Sequence, residues 1–204
     1  MMRLLSNRTS GEELQPGDHI YSYIKGHTYS HHGIYVGEGW VIHYTATAEP
    51  VTTSSTEPRC RSCGHEPNTK RGVLKTCVDC FLKGHGLLCF EYNVSLGRFN
   101  LKQKGTCSTE SCYPSDKTVR LATEIFKKDE VDGRGFGEYN LLNNNCENFA
   151  SYCKTGKRVS EQAAKAMAIL DASTSRGNPF TAISKTSLLL SVAASLLSSK
   201  SSSS

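Results

Sequence analysis

No apolar run in this 204-residue chain reaches the roughly 20 residues that a bilayer-spanning helix needs. The opening residues, Met1-Met2-Arg3-Leu4-Leu5-Ser6-Asn7, carry no apolar h-region. That absence leads us to expect a cytoplasmic protein in a reducing compartment, where nine cysteines read as thiols and metal ligands and not as a disulfide framework. Neither sign of charge dominates: 24 Lys and Arg stand against 19 Asp and Glu, for a net +5, and no basic motif is interleaved with aromatics. No nucleic-acid partner is therefore expected, whereas an anionic membrane surface or an acidic lipid suits so mild a balance. The stretch Gly133-Arg134-Gly135-Phe136-Gly137 lacks the context of a phosphate-binding loop and reads as a bend. What is present is 37% apolar content, enough for one core, in a length that suits one domain with additions.

The first chemical signal is Cys146, set in Asn143-Asn144-Asn145-Cys146-Glu147-Asn148-Phe149. Asn144 or Asn145 can cap a helix, and Glu147 falls three residues after Asn144 as in a capping box. The helix is predicted to run to about Lys154 and stop at Gly156. A thiol in a first helical turn faces free N–H groups and the positive dipole end, which predicts a pKa lowered from ~8.5 toward ~7 or below. The same N–H groups are candidates for an oxyanion hole. Most free cysteines are small core residues, so this signal alone leaves both readings open.

The second signal lies about a hundred residues upstream. Tyr29-Ser30-His31-His32-Gly33-Ile34-Tyr35-Val36 and Trp40-Val41-Ile42-His43-Tyr44 are β-branched and aromatic runs separated by Gly37-Glu38-Gly39, the pattern of a hairpin. Alternation puts His31 on one face with Gly33 and Tyr35, and His32 on the other with Ile34 and Val36. His43, on the partner strand, is within cross-strand or diagonal reach of His31. A thiol needs a base, and an imidazole needs a group to orient it, so Cys146, His31 and His43 are the parts of an acyl-transfer site. His19, His27, His65 and His85 read as surface or hydrogen-bonded histidines.

The third signal is Cys60-x2-Cys63-x13-Cys77-x2-Cys80, inside a segment, residues 49–84, that reads as an insertion. Four thiolates complete the tetrahedral shell of structural zinc, and Arg59, Arg61, Lys70, Arg71 and Lys75 would offset their charge. Two disulfides or spare thiols are the alternative; His65 and His85 are not required as ligands.

Elsewhere the pattern predicts strands at residues 18–24 and 86–94, an irregular stretch from 95 to 112, and a helix from Ser115 or Asp116 with Val119, Ala122, Ile125 and Phe126 on one face. Residues 1–13 read as a tail, 14–156 as the catalytic domain, 157–197 as a helical extension and 198–204 as a disordered serine run. Residues 188–197 combine a wide apolar face with a serine stripe at Ser187, Ser191 and Ser195, the pattern of a peripheral membrane contact or of a helix docked on the domain.

Four ordered strings, Pro16-Gly17-Asp18-His19-Ile20-Tyr21, His31-His32-Gly33-Ile34-Tyr35-Val36-Gly37, Val41-Ile42-His43 and Asn145-Cys146-Glu147-Asn148-Phe149, together resemble the LRAT-like (lecithin:retinol acyltransferase), or NC-domain, family, and its plant-type members in particular. The resemblance implies an α+β, circularly permuted papain-like fold of the NlpC type, with an antiparallel sheet packed on helices and, here, a zinc-knuckle insertion. It maps the nucleophile onto Cys146, the base onto His31 and its orienting partner onto His43. His31 is preferred to His32 because it stands four residues before Tyr35, as the family histidine does. The implied activity is a cysteine-dependent lipid acyltransferase or phospholipase-like hydrolase acting on an acyl ester through a thioester. Tyr139-Asn140-Leu141 leading into Asn145-Cys146 also looks like the PPPDE isopeptidases, dyad enzymes that do not need His43. A zinc-bearing interaction module without chemistry is the third reading.

Overall fold

A computed structural model describes residues 7–24, 29–46, 58–66, 72–102, 105–160 and 164. At its centre is an antiparallel five-stranded sheet formed by β1 (His19–Ile24), β2 (Tyr29–Gly37), β3 (Trp40–Thr45), β4 (Gly72–Cys77) and β5 (Leu88–Cys89), in the order β4-β3-β2-β1-β5. Four α-helices accompany it among the described residues: α1 (Val78–Leu82), α2 (Leu96–Leu101), α3 (Ser115–Asp132) and α4 (Cys146–Thr155). The expected hairpin is β2 and β3. Gly37, Glu38 and Gly39 all have positive φ (98°, 53° and 77°), so two glycines carry a turn that side chains rarely adopt.

The register sorts the side chains onto two faces. Pairing of Gly33 with His43, Ile34 with Ile42 and Tyr44 with Val73 puts Ile34, Ile42, Tyr44 and Val73 on one face. There they meet Ala122 and Ile125 of α3 and Phe149, Ala150 and Cys153 of α4, with Phe136 closing the cluster. Leu14, Ile20, Tyr35, Val41 and Phe81 form a second, smaller core. Cys153 is buried in the first core, as its place on the α4 stripe predicts. Gly156 caps α4 in the left-handed conformation (φ 78°), also as predicted.

Three boundaries differ from the sequence reading. Residues 72–82, assigned there to an insertion, belong to the sheet and its cover: β4 pairs with β3 over its whole length and Phe81 enters the second core. The sheet recruits this segment because Val73 and Leu74 give it an apolar side chain for each face. The strand expected at 86–94 shrinks to Leu88–Cys89, after which the chain bridges Glu91 to Cys107, and part of the stretch expected to be irregular is α2, capped by Ser95. Residues 7–13 are not a loose tail, since Asn7 Nδ2 donates to the carbonyls of Cys89 and Thr106 and Asn7 Oδ1 accepts from the buried Lys102.

Residues 157–160 return to α4 through Ser151, whose hydroxyl donates to the Val159 carbonyl and accepts from the Val159 N–H, and Ser160, which donates to Glu147. The expected membrane-contacting stretch 188–197, the serine run 198–204 and His27 lie outside the described residues. Among the described residues no helix is long and apolar enough to cross a membrane.

Candidate active site

Cys146 opens α4 and is fully buried. The cap is Asn145 and not Asn144: Asn145 Oδ1 accepts from the N–H groups of Glu147 (2.9 Å) and Asn148 (3.0 Å), while Asn148 Oδ1 accepts from Asn145 N–H (3.0 Å). The capping box therefore joins Asn145 to Asn148, and Glu147 turns instead to Ser160. Asn144 braces the preceding loop by donating to the carbonyls of Phe136 and Glu138. This corrects the sequence reading of the oxyanion hole, because two of the N–H groups expected to serve it are occupied by the cap.

The thiol rests against β2. Its S–H donates to the Ser30 carbonyl (3.6 Å), the Tyr29 hydroxyl stands 3.2 Å from Sγ, and Tyr29 is itself 2.6 Å from the Tyr139 hydroxyl. The backbone N–H of His32 also faces the sulfur. Ser30 and His32 are the neighbours of His31, and they lie beyond the last β2–β3 pair, Gly33 with His43. Cys146 therefore occupies the unpaired backbone edge alongside His31. Burial pushes the thiol above its ordinary range, outweighing the lowering by the Tyr29 hydroxyl and the His32 N–H; nearby Glu147 adds to the rise. The expected low-pKa thiolate is thus replaced by a protonated thiol.

His31 and His43 meet as the strand pattern predicts, His31 Nε2 lying 2.9 Å from His43 Nδ1 with the rings at 86°. His43 Nε2 is 3.1 Å from Thr76 Oγ1 on β4. The Phe81 ring covers both imidazoles, at centroid distances of 5.0 and 5.4 Å. Burial first, then Lys83 and His32, hold His31 down at about 3; burial, His31, His65 and Lys83 hold His43 well below its ordinary value. Both rings are neutral at physiological pH. Among the described residues neither imidazole is a hydrogen-bond partner of Cys146: the structure joins His31 to His43 and sets the thiol beside the backbone of His31.

Gly33 makes this arrangement possible. A Cβ there would lie 2.8 Å from Val41 Cγ1, 3.0 Å from Phe81 and 3.1 Å from His43 Cβ. Gly33→Ala is expected to cost about 1–3 kcal/mol through overpacking, read as a lowered urea midpoint at unchanged m-value; an unshifted midpoint contradicts this account.

His32 points to the other face. It is fully buried between His19 (His32 Nδ1 to His19 Nε2, 2.8 Å) and Ser30 (Nε2 to Oγ, 2.8 Å), and His19 continues to the Tyr92 hydroxyl at 2.9 Å. His32→Ala strips His19 Nε2 of its partner, so a stability loss of about 1–3 kcal/mol is expected. His65 and His85 stay outside the cysteine cluster. The residues that sequence reasoning missed are Tyr29, Tyr139, Thr76 and Phe81, none of which carries a spacing signal that separates it from a core residue.

Cys60, Cys63, Cys77 and Cys80 bring their four sulfurs within 4.8 Å of one another, with Cys60 to Cys77 at 3.8 Å and Cys63 to Cys80 at 3.5 Å. A tetrahedral site with metal–sulfur bonds of ~2.3 Å has edges of about 3.8 Å, so these residues fit a metal ion. One pair lies in a tight turn closed by Gly64 N–H donating to the Cys60 carbonyl; the other spans the start of α1. Backbone N–H groups of Cys63 and Ser62 draw the Cys60 thiol down to about 6. A shallow depression lined by Gln15, Pro16, Ser115, Asp116, Val119 and Arg120 includes none of the residues of either site.

Three similarities to known proteins bear on this arrangement. The family described as lecithin retinol acyltransferase matches residues 12–159. The chain is 37% identical over 208 residues to Protein LEAD-SENSITIVE 1 of Arabidopsis thaliana, covering 93% of this chain and 75% of that protein. It is 28% identical over 135 residues to lecithin retinol acyltransferase of Mus musculus, covering 66% of this chain and 52% of that one. A match that takes in both histidine strands, the paired cysteines and the whole of α4 makes the chain a member of the lecithin retinol acyltransferase family.

Proposed function

We propose that the protein is a cysteine-dependent lipid acyltransferase or phospholipase-like hydrolase that works through a thioester on Cys146. The observation that carries the reading is the juxtaposition of a thiol at the start of α4 with the β2 segment holding His31, itself paired to His43 at 2.9 Å. That pairing favours the three-residue site over a Cys–His dyad of the isopeptidase kind, which has no use for His43.

The free site holds a neutral thiol and a neutral base, so the proton moves during attack. As Sγ bonds to the ester carbonyl carbon, the thiol proton passes to His31 and the carbonyl electrons move onto its oxygen. Collapse breaks the C–O bond, the His31 proton goes to the leaving alkoxide, and the acyl group remains as a thioester. Water, an alcohol or an amine then gives its proton to His31 and bonds to the acyl carbon as the C–S bond breaks, and His31 returns that proton to Sγ. His43 orients His31 and supports its transient charge. The hydroxyls of Tyr29 and Tyr139 remain protonated because burial raises both well above their ordinary range. Together with the His32 backbone N–H they are donors beside Sγ that could serve an oxyanion on a Cys146 adduct.

The four-cysteine site is read as structural zinc, which would tie the turn at Cys60–Cys63 to the start of α1. Purified protein is expected to carry about one zinc, and Cys77→Ser to lose it and destabilise β4 and α1. Metal analysis of protein prepared under reducing conditions, returning none, would exclude the site. The histidine strands precede the cysteine helix, an order we read as a circular permutation of the papain-like arrangement. A cytoplasmic location, with residues 188–197 making peripheral contact with membrane, completes the proposal. Incubation with phospholipid vesicles followed by mass spectrometry tests its core: an acyl mass on Cys146 is expected, and an unmodified Cys146 under turnover conditions refutes it.

A further inference from the structure

We infer that Thr76 is a positioning residue of this site: its hydroxyl fixes which nitrogen of His43, and through His43 which nitrogen of His31, carries the proton. The catalytic consequence rests on the reading of Cys146 and His31 given above, whereas the proton placement does not.

Thr76 shares a face with Val41, its partner in the β3–β4 register, and so with His43. Its Oγ1 lies 3.1 Å from His43 Nε2 and 3.3 Å from the carbonyl oxygen of Cys77. A hydroxyl has one proton and a carbonyl can only accept, so both contacts are hydrogen bonds only if Thr76 donates to Cys77 and accepts from His43 Nε2–H. A neutral imidazole has a single N–H. His43 Nδ1 must then accept, and its partner at 2.9 Å, His31 Nε2, must donate. The remaining nitrogen, His31 Nδ1, keeps its lone pair and has no hydrogen-bond partner among the described residues. That nitrogen is the one left to receive the thiol proton.

The chain of donors runs one way because it is anchored at a backbone carbonyl, which cannot rotate to reverse it. Phe81, tilted against His31 and edge-on to His43, shields the pair from the water that could otherwise stabilise the opposite arrangement. Thr76 and Phe81 immediately precede Cys77 and follow Cys80, so the segment that carries the second cysteine pair also orders the imidazoles. Without the Thr76 hydroxyl, His43 Nε2–H would be buried without an acceptor, and protonation at His43 Nδ1 becomes the better choice. His31 Nε2 must then accept, its proton moves to Nδ1, and the lone pair available to take up the thiol proton is gone.

Nitrogen-15 NMR of the imidazoles in the full chain tests this. In the wild-type protein both His31 and His43 should show a protonated Nε2 and an unprotonated Nδ1. Thr76→Val, which keeps the shape, should move the His43 proton to Nδ1, and Thr76→Ser should restore the wild-type pattern. Turnover of an acyl ester by Thr76→Val should fall about a hundredfold, the low end of what a general base contributes, with KM unchanged and with recovery in Thr76→Ser. A wild-type spectrum with His43 protonated at Nδ1, or identical proton placement in wild type and Thr76→Val, overturns the inference. Proton placement as expected in a protein whose Cys146 takes no acyl group upholds the inference and defeats the proposed activity.

Discussion

Replacing Cys146 by serine is expected to remove acyl turnover by at least about a thousandfold, in keeping with the loss of one member of a catalytic unit. The structure makes this prediction stricter than a low-pKa thiol would. Burial holds the thiol protonated, so under the proposed mechanism its proton must leave for His31 in the step of attack. A serine hydroxyl is far harder to deprotonate in the same buried place, and nothing around it supplies a stronger base. The fold should survive, since a hydroxyl can still donate to the Ser30 carbonyl and accept from Tyr29. His31→Ala should be about as damaging. His32→Ala, by contrast, should lower stability more than rate, because its ring belongs to the opposite face. The measurement is single-turnover acyl transfer alongside a urea titration of each variant. Wild-type turnover by Cys146→Ser would end the thioester mechanism, and equal loss of rate in stable His31→Ala and His32→Ala proteins would end the assignment of the base.

Acid should unfold this domain early. His19, His31, His32 and His43 are buried and neutral, with His31 and His32 held down at about 3 and His19 and His43 held well below the ordinary value. Burial is the leading cause in all four. In the unfolded chain each titrates near 6.5. Below that pH the unfolded state binds protons that the fold refuses. Their contribution to stability is therefore fully present above about 6.5 and lost progressively as pH falls from there toward about 3. Each histidine can contribute a slope of up to about 1.4 kcal/mol per pH unit. Four such groups would exhaust an ordinary domain stability of about 5–15 kcal/mol near pH 5. Circular dichroism with pH should show a cooperative loss of structure in that region, and a fold intact at pH 4 would mean that the histidines titrate normally.

The sequence by itself determined the elements whose signals are local. The β2–β3 hairpin follows from alternation and from a turn that needs positive φ, α4 from its asparagine cap and Gly156, and the cysteine cluster from its two CxxC pairs. Even the meeting of His31 with His43 was legible, because cross-strand neighbours in a hairpin are set by register alone. Tertiary structure decided what depends on the company a residue keeps. Val73 and Leu74 read as part of an insertion until β3 offers them an edge to pair with. Asn145 displaces Asn144 as the cap because Asn144 is drawn to the Phe136 and Glu138 carbonyls. The helix N-terminus that should favour a thiolate is outweighed once Sγ is enclosed by Tyr29, Tyr139 and β2, since desolvation of a charge costs more than a helix dipole returns. Thr76 acquires a role only where β4 carries it beside His43, a contact between residues 33 positions apart in the chain that no spacing rule encodes.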